Sequence, residues 1–157
     1  TAGLLLNRFG VGELTGQLSR SFGKTPVALQ GTAIRNFRAR GDLNGVAAAC
    51  PAGVSCTAAR DGYTYGAVVG QAKSAKSWEA AYFKSWVQTY ATFADVSDSD
   101  FGDGGINRKG HIFWLAYAPT GWSVAKIRYF VTETLDPHYA PGDKAINRVQ
   151  VDFSVKF

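Results

Sequence analysis

The sequence predicts an all-β fold, the C-terminal part of a transmembrane β-barrel made of about seven antiparallel strands. Three observations carry this reading. Residues 148–157, RVQVDFSVKF, alternate apolar and polar without a break. The segments that read as strands are joined by connections that alternate between short and long. The 18 glycines and 13% aromatic residues accompany short apolar alternations, a mixture suited to sheet rather than to a helix bundle.

The predicted strands are 11–22, 26–38, 63–73, 77–89, 110–118, 122–134 and 147–157. A short turn, Ser21 to Thr25, joins the first two, and a long loop at 39–62 follows. Ser74-Ala75-Lys76 is the next turn, then comes a loop rich in Asp and Gly at 90–109. Pro119-Thr120-Gly121 is the third turn, and a loop from Asp136 to Ala145 precedes the closing strand. This is the rhythm of periplasmic turns and extracellular loops, and it makes the last strand end in the periplasm.

Within the strands, side chains divide by a period of two. In the closing strand Val149, Val151, Phe153, Val155 and Phe157 share one face, while Arg148, Gln150, Asp152, Ser154 and Lys156 share the other. In 122–134, Ala125, Ile127, Tyr129 and Val131 oppose Lys126, Arg128 and Thr132. Alternation alone fits lipid against lumen and core against water equally well. Residues 78–90 resist, because Trp78, Tyr82, Trp86 and Tyr90 recur every four residues and also fit an amphipathic helix. The flanking strands and the short turn before them favour a strand interrupted by Lys84.

Seven is an odd count, whereas single-chain bacterial barrels have even ones. The leading Ala2-Gly3-Leu4-Leu5-Leu6 is too short for a crossing of about nine to eleven residues. Open sheet edges are not tolerated in hydrocarbon. Residues 1–157 are therefore expected to be a single segment of a barrel, whose missing strands precede Thr1 or come from another chain.

No stretch of 18 apolar residues exists, which excludes a transmembrane helix. The net charge of +5 comes from singly spaced Lys and Arg, so nucleic acid is not an expected partner. Cys50 and Cys56, in CPAGVSC, suggest a small surface disulfide and an oxidising compartment, with free loop thiols as the alternative. Asp95, Asp98, Asp100 and Asp103 lie amid glycines and form a weak calcium candidate without EF-hand spacing; a solvated loop, or one folded into the lumen, is the alternative. His111 and His138 are the only histidines, and neither G-x-S-x-G nor H-E-x-x-H occurs. No enzymatic activity, metal or cofactor is expected. Trp78, Trp122 and Phe157 would lie at one membrane interface, and Tyr63, Tyr65, Tyr90 and Phe93 at the other.

The stretch ADVSDSDFGDGGINRKGH, followed by two strands and RVQVDFSVKF, resembles the C-terminal region of the bacterial "putative porin" family. Asp98, Ser99, Asp100, Gly104, Gly105, Lys109, Gly110, His111, Asp152 and Phe157 carry the likeness, which spans roughly residues 27–157. The cysteine loop departs from the family pattern. The resemblance implies an outer-membrane barrel of about sixteen strands, passing small polar solutes or ions by diffusion. It makes Val149, Val151, Phe153, Val155 and Phe157 an expected signal to the barrel-assembly machinery. Lys126, Arg128, Arg148, Gln150, Asp152 and Lys156 are the expected lumen-lining residues, with a mild anion preference. Expected partners are the lipid bilayer, its lipopolysaccharide and other porin subunits. A non-transporting barrel that anchors surface structures or sheathes a partner protein is a second reading, and a secreted β-sandwich binding module a third.

Overall fold

Strand formation here follows from short β-branched and aromatic alternations punctuated by Gly and Pro. The computed structural model describes residues 10–38, 59–92, 100–102, 104–137 and 145–156. They form β1 (Val11–Phe22), β2 (Thr25–Asn36), β3 (Asp61–Gly70), β4 (Ser77–Val87), β5 (Arg108–Thr120), β6 (Ser123–Thr134) and β7 (Ile146–Val155). Every strand pairs antiparallel with its sequence neighbour in one sheet ordered β1 to β7. The sheet is not closed: among the described residues no ladder joins β7 to β1.

The stretch that also fitted a helix is β4. Its backbone pairs on both sides, from Gly62↔Val87 to Gly70↔Glu79 with β3 and from Ser77↔Ala118 to Val87↔Arg108 with β5. Two continuous ladders outweigh the four-residue spacing of its aromatics. Every strand but β1 departs from its expected range by one to three residues at one end or both, and two of these ends have a clear physical cause. β3 stops at Gly70, in the left-handed region at φ +80°, and the hydroxyl of Ser77 accepts from the backbone N–H groups of Lys73 and Ser74 in the turn that follows. β5 runs on through Pro119 and Thr120. The register shifts between Tyr117 and Thr120, and such a bulge accommodates a residue with no N–H to donate.

Register assigns each side chain to a face. Rows such as Leu29–Ala67–Tyr82–Phe113–Tyr129–Val149 run across six strands on one side. Apart from Val11, every large hydrophobic residue exposed on a strand belongs to that side, including Leu14, Leu18, Phe113, Val151 and Phe153. The other side holds Phe83, Ser85, Ala116, Phe130 and Thr132, all buried. Such asymmetry is what a curled sheet produces, with the crowded face inside. Gly66 and Gly110 sit on the inner face, and a Cβ on either would run into the backbone oxygen of Tyr82 or Val131 respectively. Glycine at both positions lets neighbouring strands curl over them.

Two asparagines tie the ends of the strands at the long-loop side. Asn36 is fully buried; its side-chain oxygen accepts from the N–H groups of Gly10 and Arg38, and its amide donates to the Tyr90 carbonyl at 2.9 Å. Asn107, at φ +53°, exchanges two hydrogen bonds with the Asp136 backbone, at 2.9 and 3.0 Å. Asparagine tolerates this left-handed conformation better than most residues.

If curvature depends on bare backbone at Gly110, then Gly110→Val should cost about 1–3 kcal/mol through overpacking. Gly16→Ala, where a Cβ meets no atom within 4 Å, should leave stability unchanged or slightly raised. Urea titration of the protein in lipid vesicles, followed by tryptophan fluorescence, measures both; equal midpoints for Gly110→Val and the parent would refute the curvature argument.

Candidate functional site

The inner face has two chemistries. Along β1 to β4 it is lined by hydroxyls and amides that pair across strands: Thr15 with Thr32 at 3.0 Å, Gln17 with Gln30 at 3.1 Å, and Thr64 with Ser85 at 2.8 Å. Side-chain pairs of this kind keep a polar surface ordered without charge. Along β5 to β7 the same face carries most of its charge, joined by Glu13 on β1 and Glu79 on β4.

Lys126 stands opposite Asp152 in the β6–β7 ladder, and Arg128 stands opposite Gln150. The Arg128 Nε lies 4.0 Å from the Asp152 carboxylate, and the Gln150 amide donates to that carboxylate at 3.1 Å. The Lys126 ammonium sits 4.5 Å from the centre of the Trp114 ring, a cation–π contact. Trp114 stacks on Phe83 at 5.2 Å with a 9° interplanar angle, and its indole N–H donates to Glu79 at 2.8 Å. The result is a run of cations held side by side at fixed positions on one wall, each partly compensated by a carboxylate or a ring.

A segment of the connection between β4 and β5 lies against this wall. Asp100 accepts from Arg148 Nη1 at 3.3 Å, with both side chains about one-third exposed. Phe101 is 2% exposed, and Gly102 packs so closely that a Cβ would come within 2.8 Å of the Arg108 side chain and 3.0 Å of the Thr132 hydroxyl. Arg108, Thr132 and Arg148 all project from the inner face of β5 to β7, since Thr132 follows Arg128 and Phe130 at intervals of two. The segment therefore takes up room on the inner side of the sheet, and glycine at 102, with φ +68°, is what lets the chain approach.

Of the residues expected from sequence to line a lumen, Lys126, Arg128, Arg148, Gln150 and Asp152 share the inner face. Lys156 lies past the end of β7, where its N–H donates to the Trp122 carbonyl at 2.8 Å beside the short β5–β6 turn. Val149, Val151 and Phe153 are exposed on the outer face, with Val155 following them, and Phe157 lies outside the described residues. Cys50, Cys56, His138, Asp95, Asp98 and Asp103 also lie outside them. Asp100, the one described member of the proposed calcium loop, faces a guanidinium.

Sequence reading missed four contributors. Glu79 and Trp114 were not assigned to the charged face, although both share the period of two with their strands. The hydroxyl and amide lining of β1 and β2 was also passed over, because neutral polar residues carry no charge signal. Arg108 was placed in a loop, two residues before the expected strand at 110–118, whereas it begins β5.

A sequence profile of the family described as "Putative porin" matches residues 2–157. No curated protein matches the chain. No solved structure matches it either.

Replacing Asp100 with Ala removes the carboxylate from Arg148. A partly exposed pair contributes about 0.5–1 kcal/mol, so the segment around Phe101 should be cleaved by chymotrypsin about two- to five-fold faster in the folded protein. An unchanged rate would mean that Asp100 does not hold the segment to the wall.

Proposed function

The chain belongs to the "Putative porin" family, and from that premise we propose that it forms part of an outer-membrane porin, through whose water-filled barrel small polar solutes or ions diffuse. The observation that carries this reading is the inverted distribution of polarity. Large apolar and aromatic side chains are exposed over the outer face of seven paired strands, while charges and hydroxyls crowd the inner face. A water-soluble sheet would place them the other way round.

Closure supports the reading further. In an antiparallel sheet of seven, β1 and β7 run in the same direction. Pairing them directly would put parallel neighbours in an otherwise antiparallel wall. An all-antiparallel barrel thus needs an odd number of further strands between β7 and β1, which gives the even total of such barrels.

Solute preference follows from the wall of β5 to β7. Arg108, Lys126, Arg128 and Arg148 share the inner face, against Glu79 and Asp152 on β4 and β7. A net positive wall raises the local concentration of anions. The segment at Asp100 to Gly102 narrows the passage beside those cations, so passing ions come within their field.

Planar-bilayer recording of the full-length protein tests the proposal. Ohmic channels with a chloride preference in a potassium chloride gradient are expected; absence of channels would favour a non-transporting anchor. One unit charge at about 7 Å in water contributes ~0.6 kcal/mol of opposite sign to the two ions, so neutralising Lys126 or Arg128 with Gln should lower the chloride-to-potassium permeability ratio about seven-fold each. No change in either variant would remove those side chains from the ion path.

A further inference from the structure

Charges on the outer face are few: Arg20 lies over the Phe22 ring beside the β1–β2 turn, and the placement of the rest marks the membrane boundary at the long-loop side. Arg35 pairs with Asp61 at 3.5 Å, and Lys109 with Glu133 at 3.2 Å, both near the long-loop ends of their strands. On β7 the first polar residue of that face is Asn147, opposite Val131. Traced through the register from β2 to β7, this boundary shifts by about 13 Å along the strands over about 24 Å across them, a tilt of about 30°. Lys84 lies just inside the line, two residues from Trp86, and makes no ion pair or hydrogen bond among the described residues. It stands directly opposite Tyr65 on one side and His111 on the other.

A second feature adjoins it. Two contiguous grooves, of about 420 and 460 Å³, cross the outer face over β1 to β3 and share Leu14, Ala33 and Tyr63. Gly16 and Gly31 stand opposite each other on the floor. Unlike Gly66 and Gly110 they have space above them: a Cβ at Gly16 meets nothing within 4 Å, and one at Gly31 meets its nearest atom at 3.9 Å. Glycine inside a strand weakens it, and where no backbone crowds it the bare position leaves room for a ligand to approach closely. The wall between groove and lysine is aromatic: Tyr63 stacks on Tyr65 and, at 4.9 Å, on Trp86.

The geometry points to a seat for one phosphorylated glycolipid of the outer leaflet, its acyl chain lying in the groove over Gly16 and Gly31 and its phosphate held by Lys84 and His111. This rests on the outer-membrane reading above. Charge complementarity selects the occupant: the trough over Gly16 and Gly31, lined by no charged residue, suits an acyl chain, and the unpaired ammonium of Lys84, one strand beyond Tyr65, suits an anionic headgroup. The Lys84 stem is long enough to carry its charge outward to the level of Trp86. The Tyr82 hydroxyl lies 2.9 Å from His111 Nδ1; donating there, it leaves the imidazole proton on Nε2, a donor for a phosphate oxygen.

The test uses the full-length protein in detergent, with diphosphoryl lipid A as the probe and retention read by native mass spectrometry. The parent should retain one lipid A per chain, and should retain the dephosphorylated lipid at least five-fold less. Lys84→Ala should reduce retention at least five-fold and Lys84→Arg restore it; Gly16→Leu should reduce it by filling the trough. Heat-modifiable gel mobility confirms that each variant is folded. Equal retention by Lys84→Ala would overturn the proposal. So would displacement of the lipid by millimolar inorganic phosphate, which would make this a site for free anions. Disulfide-linked dimers of Lys84→Cys at high yield would reassign the face to contact between copies. Conductance of the same preparations is expected to be unchanged, so loss of the lipid seat and loss of the pore are told apart.

Discussion

Every backbone N–H and C=O in these strands has to be satisfied inside the sheet, because hydrocarbon offers no partner. That constraint orders the rest of the molecule. It explains why each of the seven strands pairs with its immediate sequence neighbour over nearly its whole length, and why the proline in β5 falls at a register shift. It also makes the edges of β1 and β7, which have no ladder partner among the described residues, costly in a membrane.

Once the ladders are set, the period of two commits every side chain to one face. Curvature then makes the faces unequal. Gly66 and Gly110 allow strands to close over the inner surface, where Phe83, Phe130 and Thr132 become buried although the sheet has no second layer among the described residues. The same curl brings the cations of β5 to β7 onto one wall and gives the Asp100–Gly102 segment a surface to lie on. Its tether is modest. A partly exposed ion pair contributes little alone, so the buried Phe101 and the close approach at Gly102 share the work.

At the long-loop ends the problem is different, since strands stop there and loops begin. Asn36 and Asn107 answer it with side-chain amides that imitate backbone pairing and satisfy carbonyls and N–H groups left over at the strand termini. Below them, outer-face charges occur as cross-strand pairs, Arg35 with Asp61 and Lys109 with Glu133, which lowers the cost of holding them near lipid. Lys84 breaks this habit. A charge kept unpaired at such a depth suggests a partner from the membrane.

The strand pattern was legible because alternation is a local property: β1, β6 and the polar and apolar faces of β7 follow from residue order alone. Lys126, Arg128, Arg148, Gln150 and Asp152 could be grouped on one face for the same reason. Residue order could not reveal that Glu79, Trp114 and Lys126 meet, since 35 residues separate Glu79 from Trp114 and only register joins them. Nor could it foresee Asn36 reaching Tyr90, or Asp100 reaching Arg148 across 48 residues. By itself the sequence determined the all-β class, the strand count and which side chains share a face, because a period of two needs only neighbouring residues. The tertiary structure decided which face is crowded, where the β4–β5 connection lies and that Lys84 stands beside Tyr65, which lines an open groove, because register and curvature arise only when distant strands pair.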